Sequence, residues 1–337
     1  MSVIPSPVAP QIIDHIIEGT KAWVRADIRR DDWFLRLSPE CLAELHAIVV
    51  ELRAHPCPAE QIDAARFAMP ACRAFMRGVR AVLDEGVRFA VVDRLPMDEI
   101  SDDEARALYW ILSSLLARPV QQKLTGTMIY DVHDTGKKAT PGSGVRPDQT
   151  NMEQFFHNDN AYNTTQPEIV ALLCARPAKS GGVSHVMSFY TLHNALLRAC
   201  KDNKDNKDVI TRLYQPFWFD RQKEYLAGEP AVMSAPMFTY DGRLKVRMSM
   251  HQASGGYTMM NEPLDQAAVA SFDALKRLFA DQALSVDFVM ERGQIQYVNN
   301  LETCHRRTLF KDFAAPEQKR LMIRLWLRNT GDVCYQG

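Results

Sequence analysis

The sequence has 337 residues, of which 46% are hydrophobic, and its 40 Lys and Arg against 41 Asp and Glu give a formal net charge of -1 at pH 7. This balance lacks the basic surface with which proteins usually bind nucleic acids or anionic membranes, so small molecules or other proteins are the expected partners. The longest apolar run, residues 169–175, covers 7 residues, whereas a membrane-spanning helix needs roughly 20.

Two features predict a cytoplasmic protein with reduced thiols. Residues 1–10 contain three prolines and neither Lys nor Arg, unlike a secretory signal. The seven cysteines are an odd, scattered set without a C-x-x-C pair, which disfavours a disulfide framework and a thiolate zinc site.

Residues 1–85 are predicted to be mostly helical. Ser38, followed by a proline, has the pattern of a helix N-cap, and a second helix fits residues 70–85 before a glycine. A third helix is expected after Ser101, where a glutamate three residues later completes a capping box. Between them, residues 87–95 are rich in β-branched and aromatic side chains and are predicted to form the first strand of a sheet.

From about residue 125 the sequence changes to short β-rich runs separated by Gly, Pro and Asn, with one helical interruption at residues 191–200. The strand candidates are GTMIYDV, EIVALLCA, SHVMSF, RLKVRMSM, SVDFVM, QIQYV and KRLMIRLWLR. Such a series predicts a sandwich, barrel or jelly roll with helices packed outside it. Residues 134–151 have no periodicity and fit either a lid or a plain surface insertion.

The motif His157-Asn158-Asp159 is a candidate metal site. It is the one H-x-[DE] among nine histidines, although about one such match is expected by chance. If it lies on a strand, His157 and Asp159 project from the same face and can hold one cation. The alternative is a surface pair with no ligand.

His305, just beyond the strand-like QIQYVNN, is the best candidate for a third ligand. Two histidines and one carboxylate form the facial triad that suits ferrous iron and leaves positions open for other ligands. A distant histidine can also be purely structural. A zinc hydrolase could use the same three residues, but it normally needs a general base near the metal, and the sequence has no H-E-x-x-H.

The run at 319–328 alternates between two faces. One face carries four aliphatic residues, and the other carries Arg320, Met322, Arg324, Trp326 and Arg328. If this strand lines a barrel, its inward arginines need anionic partners, and a guanidinium suits the carboxylate of a dicarboxylate cosubstrate. The alternative is a solvated edge strand with its arginines pointing outward.

Three ordered motifs carry a resemblance to a known family. They are GVRFAVVDRLPMD, then FHNDNAYNTTQPEIVALLCARPAKSGGVSHVMSF, and then VNNLETCHRRTLF followed by KRLMIRLWL. From about residue 85 to 328 the sequence resembles the taurine dioxygenase and clavaminate synthase-like family, the Fe(II)/2-oxoglutarate-dependent oxygenases. The resemblance implies an α+β fold that is mainly β with flanking helices, a distorted double-stranded β-helix or jelly roll. We expect a single catalytic domain over 1–337, with a helical part at 1–85 and a jelly-roll core at 86–330.

The resemblance also implies the roles of five residues. By position, His157, Asp159 and His305 match the iron ligands. Arg320 matches the arginine that pairs with the distal carboxylate of the cosubstrate 2-oxoglutarate, and Ser184 stands where many members have a Thr that contacts the same molecule.

The implied reaction uses O2 and 2-oxoglutarate, releases succinate and CO2, and oxidises an unactivated C–H bond of a small metabolite. Family members that halogenate usually lack the carboxylate at the position of Asp159, so its presence favours hydroxylation or a related oxidation. An acid-bearing substrate is expected, and the candidate substrate contacts are Arg324, Arg307, Gln154, Phe156, Asn160, Tyr162 and Trp326. The alternatives are a zinc-dependent hydrolase and a non-catalytic jelly-roll binding module.

Overall fold

The computed structural model describes residues 11–138, 140, 142–202 and 207–337. Residues 1–10, on which the expected location partly depends, lie outside this range. In the described part of the chain, no helix is long and apolar enough to cross a membrane. The α-helices of this part are α1 (Pro39–Ala54), α2 (Pro70–Asp84), α3 (Asp102–Ser114), α4 (Phe189–Asp202), α5 (Lys207–Leu213), α6 (Met250–Met260) and α7 (Gln266–Ala280).

Helices α1 and α3 begin at the predicted caps, Ser38 and Ser101. The Ser38 hydroxyl accepts a hydrogen bond from the Cys41 amide at 3.2 Å. At α3, the Ser101 hydroxyl accepts from the Glu104 amide, and the Glu104 carboxylate accepts from the Ser101 amide, so the capping box is reciprocal. These bonds satisfy amide groups that have no partner inside the helix, which is why the caps could be recognised from local sequence.

The described residues also form a series of short strands. They are β1 (Phe34–Arg36), β2 (Phe89–Asp93), β3 (Arg118–Val120), β4 (Tyr130–Val132), β5 (Gln154–His157), β6 (Ile169–Arg176), β7 (Ser180–Gly181), β8 (Ser184–Ser188), β9 (Pro216–Asp220), β10 (Val232–Pro236), β11 (Phe238–Tyr240), β12 (Leu244–Val246), β13 (Ser285–Phe288), β14 (Ile295–Asn299), β15 (Thr303–Arg307), β16 (Phe310–Lys311) and β17 (Leu321–Arg328).

Two sheets form the core of the fold, as the jelly-roll prediction requires. The larger sheet has the order β1-β2-β14-β6-β17-β3, with β4 also paired to β17, and the smaller has the order β13-β8-β15-β5. Val186 and Val286 of the smaller sheet belong to the same buried cluster as Val170 and Met322 of the larger. The two sheets therefore face each other across one apolar layer.

Strand β17 is buried on both faces, as its alternation predicts. Leu321, Ile323, Leu325 and Leu327 join the core that the sheet shares with the first three helices. Met322 and Trp326 point to the layer between the sheets. Because Arg320, Arg324 and Arg328 are 2 to 7% exposed, the alternative of a solvated edge strand is wrong.

Several elements differ from the predictions. Residues 87–95 do not supply the first strand, because β1 precedes β2 and pairs with it in parallel. The run RLKVRMSM is only partly a strand, since β12 ends at Val246 and α6 begins at Met250. Helix α7 and the β9–β10 hairpin were not predicted. In α6, two adjacent glycines weaken the helical signal, and alternating methionines before it imitate a strand.

His193 of α4 is expected to make stability depend on pH. Its side chain is fully buried, and burial, with a smaller effect of His15, lowers its pKa from 6.5 to about 4. Between pH 6.5 and 4 the unfolded chain therefore binds a proton that the folded chain does not. The stability that the neutral His193 contributes is complete above pH 6.5 and is lost as the pH falls toward 4. Between pH 7 and 4.5, the free energy of unfolding measured in urea should fall by about 2 kcal/mol more for the wild type than for His193→Gln. Equal losses would contradict the prediction.

Candidate active site

The three predicted ligands lie together between the sheets. His157 ends β5 and pairs directly with His305 of β15. Asp159 Oδ1 lies 3.3 Å from His157 Nε2 and 3.6 Å from His305 Nε2. One ligand atom from each residue lies within 4.8 Å of the others, and this is the one such group of His, Cys, Asp or Glu found among the described residues.

Asp159 reaches the two histidines from a turn and not from a strand. Strand β5 ends at His157, so the predicted period-two projection from one strand face is wrong. The Asp159 amide donates to Asn300 Oδ1 at 2.7 Å, and Asn300 Nδ2 donates back to the Asp159 carbonyl at 3.0 Å. Asn158 Nδ2 donates to the carbonyls of Val246 and Asn300. These buried amide bonds hold the turn, and no local sequence signal pointed to Asn158 or Asn300.

The surrounding bonds orient the ligand atoms. His157 Nδ1 lies 2.8 Å from the Phe155 carbonyl, and the proton on Nδ1 that this bond requires leaves the lone pair on Nε2. Gln154 Nε2 donates to that Nε2 at 3.0 Å. The other carboxylate oxygen, Asp159 Oδ2, accepts from Trp326 Nε1 at 2.7 Å and lies 3.2 Å from Arg324 Nη1. Oδ1 is thus left to face the two imidazoles.

The electrostatics favour the protonation states that metal binding needs. Burial by itself would raise the pKa of Asp159, but the Arg324 guanidinium, with further contributions from the neighbouring His157 and His305, holds it well below its usual value. Burial lowers the pKa of His305, and the repulsion between two protonated imidazoles lowers it further. A carboxylate anion beside neutral imidazoles is the donor set that takes up a divalent cation.

A small cavity of about 40 Å³ adjoins these residues and contains both predicted cosubstrate contacts. Ser184, Arg320 and Arg307 line it with His157, Asp159 and His305. Among the described residues, the Arg320 guanidinium has no hydrogen-bond or ion-pair partner and lies only over the Phe310 ring at 5.0 Å. Burial lowers the pKa of Arg320 to about 10 and that of Arg307 to about 9. Uncompensated positive charge of this kind fits an anionic ligand.

A second cavity, of about 650 Å³, also borders His157 and Asp159. Six of the seven candidate substrate contacts line it: Arg324, Gln154, Phe156, Asn160, Tyr162 and Trp326. Arg307 does not, because it belongs to the small cavity and donates to the carbonyls of Thr150, Asn151 and Thr308. Arg146, Asp148 and His251 also line the larger cavity, and no local sequence signal pointed to Arg146 or Asp148.

The described residues between 134 and 151, called the lid segment or lid below, line the larger cavity. Asp134, Arg146, Asp148 and other residues of this lid line the cavity. Asp148 Oδ2 lies 2.9 Å from Arg324 Nη1, and Arg146 Nη2 lies 2.9 Å from Glu224 Oε1. Both lid side chains are 4% exposed. Two buried ion pairs therefore attach the lid to the core.

Replacing Asp148 with alanine should loosen this lid. The change removes one partner of a buried ion pair, a loss that commonly costs several kcal/mol, although Arg324 keeps its contact with Asp159. We expect lid amides such as that of Thr150 to exchange hydrogen at least about 10-fold faster, while amides of β6 keep their protection. Lys137→Ala, at an exposed lid position, is the matched control. Unchanged lid exchange in Asp148→Ala would show that the ion pair does not hold the lid.

Comparison with known proteins agrees with this geometry. The model of the family described as "Taurine catabolism dioxygenase TauD, TfdA family" matches residues 56–326. FR-33289 synthase of Streptomyces rubellomurinus is 24% identical over 324 residues, which cover 94% of this chain and 91% of that protein. Taurine hydroxylase-like protein SAT17 of Stachybotrys chartarum is 25% identical over 173 residues, 50% of this chain and 41% of that one.

Solved structures share the fold. An asparagine oxygenase in complex with Fe(II), hydroxyasparagine and succinate superposes with a TM-score of 0.65 at 18% identity, covering 88% of this chain and 94% of that one. The non-haem iron oxygenase OrfP in complex with Fe and α-ketoglutaric acid has a TM-score of 0.61 at 14% identity, with the same coverage. The family model spans most of the chain, including the cavities and the lid. The chain therefore belongs to the TauD/TfdA family and is an Fe(II)- and 2-oxoglutarate-dependent oxygenase.

Proposed function

We propose that His157, Asp159 and His305 hold the Fe(II), and that this oxygenase hydroxylates a small acid-bearing metabolite in the larger cavity. The observation that carries the proposal is the convergence of three ligand atoms within 4.8 Å. Their donor set fits ferrous iron on chemical grounds. When bound, iron and 2-oxoglutarate together supply the oxidising power, with O2 consumed and succinate and CO2 released. The same residues would serve a desaturation or ring closure.

Arg320 and Ser184 are proposed to hold the 2-oxoglutarate. The Arg320 guanidinium can donate two parallel hydrogen bonds to a carboxylate, and the Ser184 hydroxyl can donate a third. Arg324 is less suited to this role, because its charge is already balanced by Asp148 and Asp159. The unpaired Arg320 beside the ligand cluster thus supports the cosubstrate position that the family resemblance implies.

The larger cavity is proposed to bind the substrate under the lid. Its volume of about 650 Å³ suits a small molecule. Arg146 and Arg324 each present a buried guanidinium nitrogen without a hydrogen-bond partner among the described residues, and Asp148 presents such a carboxylate oxygen. Two cationic donors and one anionic acceptor can recognise a molecule that carries an acid and an amine. The hydroxyasparagine and L-Arg bound in the related structures are molecules of this kind.

The protein residues would orient the substrate and keep water out. Phe156, Tyr162 and Trp326 supply buried aromatic wall beside the ligands, and the lid limits solvent entry. We propose that the protein works in the cytoplasm on free small molecules, without a nucleic-acid or membrane partner. No structural observation favours the zinc hydrolase or the binding module over the oxygenase.

An anaerobic titration tests the proposal. Fe(II) added to the protein with 2-oxoglutarate should produce a visible charge-transfer band, and Zn(II) added in its place should not. Small acids, with amino acids first, are then screened for substrate-stimulated succinate release in air. A protein that binds Fe(II) and 2-oxoglutarate without the band, or a band that survives in Asp159→Ala with unchanged intensity and affinity, would overturn the assigned ligands.

A further inference from the structure

Residues 329–337 pack back onto the turn that carries Asp159. Arg328, 2% exposed, donates to the carbonyls of Asp332, Cys334 and Tyr335. Thr165 Oγ1 donates to the Gln336 carbonyl at 2.7 Å. This segment follows the 56–326 range of the family model, so membership of the family assigns it no role.

Tyr335 is the residue of this segment that reaches furthest into the core. It is 1% exposed, and its ring stacks on Trp326 with centroids 6.0 Å apart and planes inclined by 20°. Its hydroxyl accepts from Asn163 Nδ2 at 2.9 Å and donates to Asn160 Oδ1 at 2.8 Å. The Tyr335 hydroxyl therefore makes one hydrogen bond as a donor and one as an acceptor, both to asparagine side chains.

Two neighbours of Tyr335, Trp326 and Asn160, act on Asp159. Trp326 donates its indole N–H to Asp159 Oδ2 at 2.7 Å. Asn160 follows Asp159 directly and adopts a left-handed backbone conformation with φ of 57°, which a side-chain hydrogen bond helps to hold. Tyr335 therefore supports the carboxylate from two directions, through the indole that orients Oδ2 and through the turn that fixes the Asp159 backbone.

We propose that Tyr335 is a positioning residue for the metal centre, one that keeps Asp159 Oδ1 aimed at the two histidines. This inference rests on the proposed role of Asp159 as a ligand. Without the ring, one face of Trp326 loses its packing partner, and without the hydroxyl, Asn160 Oδ1 loses its donor. Partners that orient a metal ligand commonly change metal affinity about 10- to 100-fold when they are replaced.

The test compares three variants of the full chain: Tyr335→Leu, Tyr335→Phe and Gln336→Ala. Gln336→Ala is the matched control, because its side chain contacts Glu229 and neither Trp326 nor Asn160. Co(II) affinity is measured by calorimetry, and the charge-transfer band is recorded with Fe(II) and 2-oxoglutarate under anaerobic conditions. Circular dichroism and thermal unfolding establish that each variant is folded at the temperature used.

Tyr335→Leu should bind Co(II) about 10-fold or more weakly and shift or weaken the band. Tyr335→Phe, which keeps the stacked ring, should lose about 3-fold in affinity, and Gln336→Ala should match the wild type. If Tyr335→Leu does not fold, Tyr335→Phe decides.

The inference would be overturned if the Tyr335 variants unfold at a lower temperature but keep the Co(II) affinity and the charge-transfer band of the wild type. It would also be overturned if Gln336→Ala loses as much Co(II) affinity as the Tyr335 variants. Failure of the wild type itself to bind metal or form the band would instead overturn the proposed ligand set.

Discussion

Replacing Asp159 with alanine should lower succinate formation by the iron-loaded protein at least about 100-fold, the largest effect we expect from one side chain. The variant loses the one anionic ligand of the cluster. Two neutral imidazoles then remain beside the Arg324 guanidinium, which lies 3.2 Å from Asp159 in the wild type. The positive charge of Arg324, then balanced by Asp148 alone, opposes a divalent cation at short range. The measurements are Co(II) affinity and the initial rate of succinate release with the best substrate of the screen.

Two further variants make the Asp159 result interpretable. Asp159→Asn keeps the shape and an oxygen that can accept from Trp326, so it separates loss of the negative charge from loss of packing. Asp273→Ala removes an exposed carboxylate of α7 that pairs with Lys276, and it should behave as the wild type. Undiminished turnover in folded Asp159→Asn would exclude Asp159 as an essential ligand.

Local sequence signals were sufficient to predict many helices and strands, and to predict which side chains of β17 share a face. Caps such as Ser38 and Ser101 act on amides three residues away, so the signal and its effect lie in the same short segment. Strand β17 is recognisable because one face must meet helices and the other the space between the sheets, which imposes a period of two. Because burying an unpaired arginine carries a large free-energy penalty, an arginine on the inward face at position 320 indicates an anionic ligand.

Contacts between distant residues could not be derived from the sequence alone. Asp148 meets Arg324 across 176 positions, and no local pattern links the lid to β17. Asn300 holds the Asp159 turn from 141 residues away. The convergence of His157 with His305 was expected mainly from resemblance, because strand order decides it and periodicity does not.

Arg324 connects the metal site to the lid. Its Nη1 lies 2.9 Å from Asp148 Oδ2 and 3.2 Å from Asp159 Oδ2, and its Nε donates to Gln122 Oε1 at 2.8 Å. A displacement of the lid therefore changes the charge that faces Asp159. Because Arg324 is paired with two carboxylates, it has little free charge for a cosubstrate. Arg320, four residues earlier on the same face, is the better candidate.

Replacing Arg320 with glutamine should raise the KM for 2-oxoglutarate about 100-fold, because a bidentate charge-assisted contact is worth roughly 3 kcal/mol. Co(II) affinity in the absence of 2-oxoglutarate should stay near that of the wild type. Arg320→Lys, which keeps the charge but not the planar pair of donors, should recover part of the loss. Arg176→Gln is the matched control, since Arg176 is paired with Asp102 at 2.9 Å and should not affect the KM.

The same Arg320→Gln variant should be more stable than the wild type when no ligand is bound. Arg320 is 7% exposed and unpaired among the described residues, and burial already lowers its pKa to about 10. Removing a buried cation of this kind should raise the free energy of unfolding by about 1 to 2 kcal/mol in urea. A structural arginine would have the opposite effect, because its loss would leave partners unpaired. Lower stability together with an unchanged KM would therefore exclude Arg320 as the cosubstrate contact, whereas higher stability with weaker 2-oxoglutarate binding is the result expected of a charge kept for its ligand.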